Sequence, residues 1–175
     1  MASRTRDMPL FDAVADWLHA NLPPARYTGI VHSDFRLGNV MFAREAPARL
    51  AAVLDWELAA LGDLLVDVGY LSAFWVQPGD PKLRMFELGD VLRLGGFGTR
   101  EDMVSRYAAK TGRSMEHLRF YEVLALWRLA AMMEANFRRG SEGAAVSEYF
   151  RGFATGAAEM IERAAWLAWG HEGAG

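Results

Sequence analysis

A chain of 175 residues with 52% hydrophobic and 23% charged residues has the size and composition of one globular domain, which excludes the disordered and fibrous classes. Its longest stretch without Asp, Glu, Lys or Arg, Val68 to Gly79, falls short of the ~20 apolar residues of a spanning helix, and no signal-peptide core follows the opening MASRTRD before Asp12 and Asp16. The absence of cysteine rules out disulfides and thiolate chemistry, and a net charge of −3 gives no overall case for nucleic acid or an anionic membrane, so a cytoplasmic setting is expected.

Leu10, Phe11, Val14, Trp17, Leu18 and Leu22 recur at helical spacing, which predicts an amphipathic helix over 10–22 with Asp7 as its cap and Pro23-Pro24 as its stop. Three short β-prone runs follow, Tyr27 to Val31, Val40 to Phe42 and Leu50 to Leu54, bounded by turn formers. From Leu64 the pattern is helical through Val68, Leu71 and Trp75, with Asp63 at the first turn and an end before Pro78. QPGDPK and GGFGT are turn-rich breaks with a short helix between them, and Thr99 suits an N-cap for a helix through about Ala109. Residues Met115 to Arg139 are apolar on almost every side, which predicts a buried central helix, with Trp127 and the Met132-Met133 pair as core. A final helix runs from about Ala145 to Trp169, ahead of a fraying HEGAG tail. A small β element followed by a helical body makes the fold α/β or α+β with helix dominant.

Polar chemistry concentrates between Val31 and Asp67. His-Ser-Asp-Phe-Arg-Leu-Gly-Asn (32–39) follows one predicted strand, and Asp-Trp-Glu (55–57) ends another. Asp34 and Asn39 lie five apart across a loop containing Gly38, a spacing that lets one side chain face a substrate hydroxyl and the other a metal ion, with Asp55 completing the metal site. A hard cation such as Mg²⁺ takes oxygen ligands, so one Asn and one Asp suffice alongside phosphates and waters. Short polar residues at strand ends most often build only turns and caps. An H-x-D metal pair of a phosphohydrolase is the rival reading of His32 and Asp34. There is no G-x-S-x-G, the other histidines lack a second ligand at helix spacing, and Gly95 to Gly98 lacks dinucleotide-loop spacing.

IVHSDFRLGNVMF, then VLDWELAALGD, then DVGYL closely resemble, in order and spacing, the carboxy-terminal lobe of aminoglycoside phosphotransferase-like small-molecule kinases. RYAAKTGR and FYEVLALWRLA agree with the branch related to the kinase-like domains found with acyl-CoA dehydrogenases. The resemblance implies a protein-kinase-like fold and transfer of the γ-phosphoryl group of ATP, or GTP in some members, to a small-molecule hydroxyl. It makes Asp34 the catalytic aspartate, Asn39 and Asp55 the Mg²⁺ and cofactor ligands, and Arg36 a candidate for charge stabilisation near the transferred phosphate. It gives supporting positions to His32, which braces the loop, to Glu57, whose role spacing leaves open, and to Asp67, which ties its helix to the catalytic loop.

Two departures stand out. Ser33 occupies a position where the family commonly has glycine. Only about thirty residues precede His32, no lysine occurs before Lys82, and Gly29 is the only glycine before Gly38, so the nucleotide-binding lobe with its lysine and glycine-rich loop is expected to be absent from this chain. The alternatives are therefore a kinase lobe, a non-catalytic binding module, or half of a split enzyme that self-associates or takes a separate nucleotide-lobe partner. In the module, loss of that lobe exposes Phe35, Phe42 and Trp56.

Overall fold

The computed structural model describes residues 7–80, 82, 91–141 and 148–170. Helix α1 spans Pro9–Ala20. Proline is favourable at its first position, where an amide proton would go unpaired anyway. The N-cap is Met8, without a side-chain bond, rather than Asp7. The end comes two residues short of the expected Leu22, because Asn21 returns both its backbone and its side-chain nitrogen to the Trp17 carbonyl, at 3.0 and 2.8 Å.

Four short strands follow as two nested antiparallel ribbons. Strand β1 (Thr28–Val31) pairs with β4 (Ala60–Asp63), Thr28 opposite Asp63 and Val31 opposite Ala60. Between them, β2 (Val40–Phe42) pairs with β3 (Leu50–Val53), Val40 opposite Val53. Strand β4 departs from the sequence expectation, which gave Ala60 to Asp63 no strand. Ala60 and Leu61 are exposed, so the segment has no apolar alternation to announce it, and its pairing partner lies some thirty residues away.

Helix α2 spans Leu65–Ala73, shorter than the pattern through Trp75 suggested. The Arg100 side chain closes it from across the fold, donating from Nε to the Ser72 carbonyl (3.0 Å) and from a terminal nitrogen to the Trp75 carbonyl (2.8 Å). Helix α3 (Arg100–Thr111) starts at Thr99 with a reciprocal capping box: the Asp102 amide donates to Thr99 Oγ1 and the Thr99 amide to Asp102 Oδ2. It ends on Gly112 at φ 66°, the left-handed geometry that favours glycine. Helices α4 (Leu118–Ser141) and α5 (Glu148–Trp169) complete the described fold. The expected helix between the two turn-rich breaks, the first residues of the final helix and the HEGAG tail lie wholly or largely outside the described residues.

The core sits where α4 meets α5, α2 and α1, around Val14, Val68, Val123, Leu126, Ala130, Met133, Met160 and Ala164. Burial of this kind of surface, at about 25 cal/mol per Å² of apolar area, is the main favourable contribution to such a fold. Trp127 packs against it, its ring tilted 32° to that of Phe11 at a centroid distance of 4.9 Å, and its indole nitrogen donates to the Phe11 carbonyl (3.1 Å). The methionine pair splits. Met133 is buried, whereas Met132 is half exposed and faces a cleft, so only one of the two is core. Gly69 lets α2 approach α4 closely, because a Cβ there would stand 2.6 Å from the Tyr121 carbonyl carbon. Among the described residues no helix is long and apolar enough to cross a membrane. The architecture is helix-dominated with short strands near the amino end, as the sequence pattern predicts.

Candidate functional site

The nested ribbons set two loops side by side. Loop 32–39 joins β1 to β2, and loop 54–59 joins β3 to β4. The Leu54 amide donates to the Asn39 carbonyl (2.8 Å), which extends the β2–β3 ladder one step and brings Asp55 beside the end of the first loop. His32 clasps the pair from below. It is 2% exposed, its Nε2 lies 2.7 Å from the Leu54 carbonyl, and its Nδ1 accepts the Asp34 amide at 3.3 Å. A ring with its proton on Nε2 satisfies both bonds at once.

Helix α2 holds the first loop through Asp67, whose two carboxylate oxygens accept the backbone amides of His32 (2.7 Å) and Ser33 (2.8 Å). A carboxylate anchored by two amides is a charge-assisted clamp. It accompanies an unusual backbone, since Ser33 lies at φ 70°, in the region where glycine is at ease and other residues are strained by of order 1–3 kcal/mol. Asp55 is also left-handed, at φ 67° and ψ 55°. Left-handed non-glycine residues cluster at sites that must present a side chain in one direction.

Asp34 is the convergence point. The Asn39 side-chain nitrogen donates to its carbonyl (2.8 Å) and its carboxylate (2.7 Å). Arg36 Nε lies 3.4 Å from the other carboxylate oxygen. The Tyr70 hydroxyl hydrogen-bonds to the same carboxylate, and burial first, then that bond and the Asp34 charge, push the phenol well above its ordinary pKa, so it remains a donor. The carboxylate is thus fixed on three sides while about a fifth of its side chain stays accessible, with a side-chain exposure of 18%.

Asp34 opens into a cleft of about 240 Å³. One wall carries Ser33, Asp34, Arg36, Asp55 and Glu57, and the other carries Tyr70, Phe74 and Trp75 with Arg128, Leu129 and Met132 of α4. Glu57 and Asp55 stand on its exposed rim. The donor set suits a hard cation. Asp55 contributes a carboxylate to the cleft lining, and Asn39 lies buried behind it with its side-chain nitrogen on Asp34. No cluster of three or more His, Cys, Asp or Glu suited to a metal occurs among the described residues, so a cation here would take its remaining oxygens from phosphates and water.

The structure thus brings His32, Asp34, Arg36, Asn39, Asp55 and Asp67 into one neighbourhood, with Glu57 at its edge. Sequence reasoning missed Tyr70 and Arg128. Tyr70 lies three residues after Asp67 on one helix, a spacing that puts both on the same face and was a usable signal. Arg128 had only its oddity as a charge within Leu-Trp-Arg-Leu-Ala. Trp56, expected to be exposed, is half exposed, yet its ring centroid lies 4.7 Å from that of His32, and Phe42 is exposed to the same degree. Phe35 is only partly exposed.

Residues 2–88 match the phosphotransferase enzyme family. The chain is 35% identical over 170 residues to acyl-CoA dehydrogenase family member 10 of Mus musculus, covering 96% of this chain and 15% of that protein. It is 30% identical over 168 residues to member 11 of Gallus gallus, covering 93% and 21%. Among solved structures it is similar to a Ralstonia eutropha JMP134 protein provisionally named an aminoglycoside phosphotransferase, at 29% identity and a TM-score of 0.76, over 94% of this chain and 50% of that one. The chain therefore spans half the length of that structure and about a fifth or less of these acyl-CoA dehydrogenase family members.

Proposed function

Because this chain belongs to the phosphotransferase enzyme family and has its kinase-like fold, we propose that it supplies the catalytic lobe of a kinase passing the γ-phosphoryl group of ATP or GTP to a small-molecule hydroxyl. The observation that carries this reading is the Asp34 carboxylate, locked by Asn39, Arg36 and Tyr70 at the mouth of a cleft with an apolar far wall. An acceptor in the cleft presents its hydroxyl to Asp34, which orients it and takes its proton. The acceptor oxygen forms the new bond to the γ-phosphorus as the bond to the β-phosphate oxygen breaks, and the nucleoside diphosphate leaves. Mg²⁺, when bound, would neutralise charge on the phosphates, and Asn39 and Asp55 are the residues that would hold it. Arg36 is close enough to Asp34 to face the same developing charge.

The test uses an assembly in which transfer is measurable. Asp34→Ala should lower turnover by ~10²–10⁴ with nucleotide affinity kept, and Asp55→Ala should chiefly weaken Mg-nucleotide binding. An unchanged rate in Asp34→Ala sinks the mechanism.

The exposed ribbons favour a companion reading about partners. Ile30 and Leu61, opposite each other in the β1–β4 register, are 67% and 80% exposed, and Met41, Phe42, Leu50 and Trp56 are about half exposed. Such a surface calls for a cover, and the nucleotide-binding lobe, in the same polypeptide or in a separate one, is the cover that would also complete a kinase. A lone, well-behaved monomer in sedimentation and a pull-down recovering no second chain would count against it. A chain without cysteine fits a reducing cytoplasmic setting, where the nucleotide donor of the proposed reaction is found, and its net charge of −3 offers no overall attraction to nucleic acid or an anionic membrane.

A further inference from the structure

Arg128 lines the cleft from the middle of α4, half-buried between Trp127 and Leu129, and lies close enough to Tyr70 to act on its phenol electrostatically. It makes no hydrogen bond or ion pair with any described residue. The other cleft arginine, Arg36, already faces Asp34. Among the described residues the helical wall around Arg128 is Leu71, Phe74, Leu129 and Met132, and these contribute no carboxylate. Holding a guanidinium partly out of water without a counter-charge is unfavourable, and a bound anion removes that cost. Guanidinium presents a planar fork of donors that matches a carboxylate or phosphate group.

We propose that Arg128 determines acceptor specificity by pairing with an anionic group, so that the acceptor is a hydroxyl compound with an apolar body and one carboxylate or phosphate rather than a polycationic aminosugar. The body lies along Phe74, Leu129 and Met132, the anion reaches Arg128, and the hydroxyl faces Asp34. Ammonium groups would meet Arg128 as a like charge on that wall, the carboxylates of Asp34, Asp55 and Glu57 being on the facing one. This assignment of acceptor class rests on the phosphotransferase reading, but it is a statement about binding and can be read without turnover.

The experiment is titration of the chain, by calorimetry or ligand-observed NMR, with 8-hydroxyoctanoate, 8-hydroxyoctyl phosphate, the neutral 8-hydroxyoctanamide and kanamycin. The expected result is that at least one of the two anions binds about tenfold or more tightly than the amide, and the stronger of the two identifies the group. Arg128→Gln should abolish the preference and Arg128→Lys should keep part of it, with circular dichroism and melting temperature reporting an intact fold. Equal binding of anions and amide to the wild type, a preference surviving in Arg128→Gln, stronger binding of kanamycin, or no binding of any probe overturns the proposal. If the anion preference holds while no active assembly transfers phosphate, the kinase reading fails and the recognition site stands.

Discussion

The Asn39 side-chain amide donates to both the carbonyl and the carboxylate of Asp34, at 2.8 and 2.7 Å. Residues 34 and 39 are therefore one unit, in which the second fixes the rotamer of the first. Asn39 is 95% buried, so the pair is held by packing as well as by hydrogen bonds. Substituting Asn39→Asp replaces the donor with a carboxylate against a carboxylate. Like charges at that separation oppose ionisation of both. The expected outcome is a loss of about 1–3 kcal/mol of stability at neutral pH, recovered in part as pH falls and the pair takes up a proton. Urea denaturation at pH 7 and pH 4.5 checks it. A variant equally stable relative to wild type at both pH values would contradict the pairing.

Asp67 bridges α2 to the loop through the amides of His32 and Ser33. In Asp67→Ala both amides lose their acceptor beside two buried residues, and each unmade bond to a charged group costs about 1.5–3 kcal/mol. A total loss of roughly 3–6 kcal/mol is expected, with hydrogen exchange fastest at residues 32–34. Asp67→Asn keeps one carbonyl oxygen and should fall between the two. Exchange at 32–34 unchanged in Asp67→Ala would show that the loop is held by other means.

How much of this was legible in the sequence follows from the range of the forces involved. The N-cap of α3 was legible at Thr99, because capping acts within three residues, and the structure adds Asp102 as its reciprocal partner. The loop residues were legible because their chemistry is compressed into 32–39 and 55–57. What escaped depends on contacts distant along the chain. Strand β4 exists because β1 pairs with it, α2 stops where Arg100 reaches its carbonyls, and Met132 leaves the core because the α4 face it occupies borders the cleft. Tyr70 and Arg128 become site residues only when α2 and α4 are set against the loop. The glycine-like geometry of Ser33 is the reverse case, a local strain that the glycine common at this position in the family already marked and that the backbone shows at φ 70°.

Gly69 is where α2 touches Tyr121 of α4, and a Cβ there would come within 2.6 Å of backbone that is itself inside a helix. Neither helix can yield alone, because Asp67 ties α2 to the loop two residues earlier and α4 packs on α5. Gly69→Ala therefore gains some helix propensity, up to about 1 kcal/mol, but should lose more to overpacking, typically 1–3 kcal/mol. A net fall in melting temperature is the expected result. A rise would mean that α2 and α4 separate readily and that the contact is not a close one.

Behind the cleft, Glu122 of α4 receives the Ser72 hydroxyl, and Arg100 and Arg163 are its charged neighbours. Burial pushes its carboxyl above the ordinary value, and the Ser72 bond and the two arginines only partly offset that, while Glu101 adds to it. The sign of the stability effect follows by linkage. Between the ordinary carboxylate value and the raised one, the folded chain holds a proton that the unfolded chain has released. Stability from this group is therefore full below the ordinary value and is lost as pH rises toward the raised one, after which it is level. Glu122→Gln removes the titration, so its stability curve should be flatter than wild type across that window, whatever constant offset comes from losing the arginine contacts. Chemical denaturation of both proteins at intervals from pH 4 to 8 measures the two slopes. Parallel curves would mean that Glu122 ionises as it would in water, and the buried network around Ser72 would then have to be more open than the packing of α2 on α4 implies.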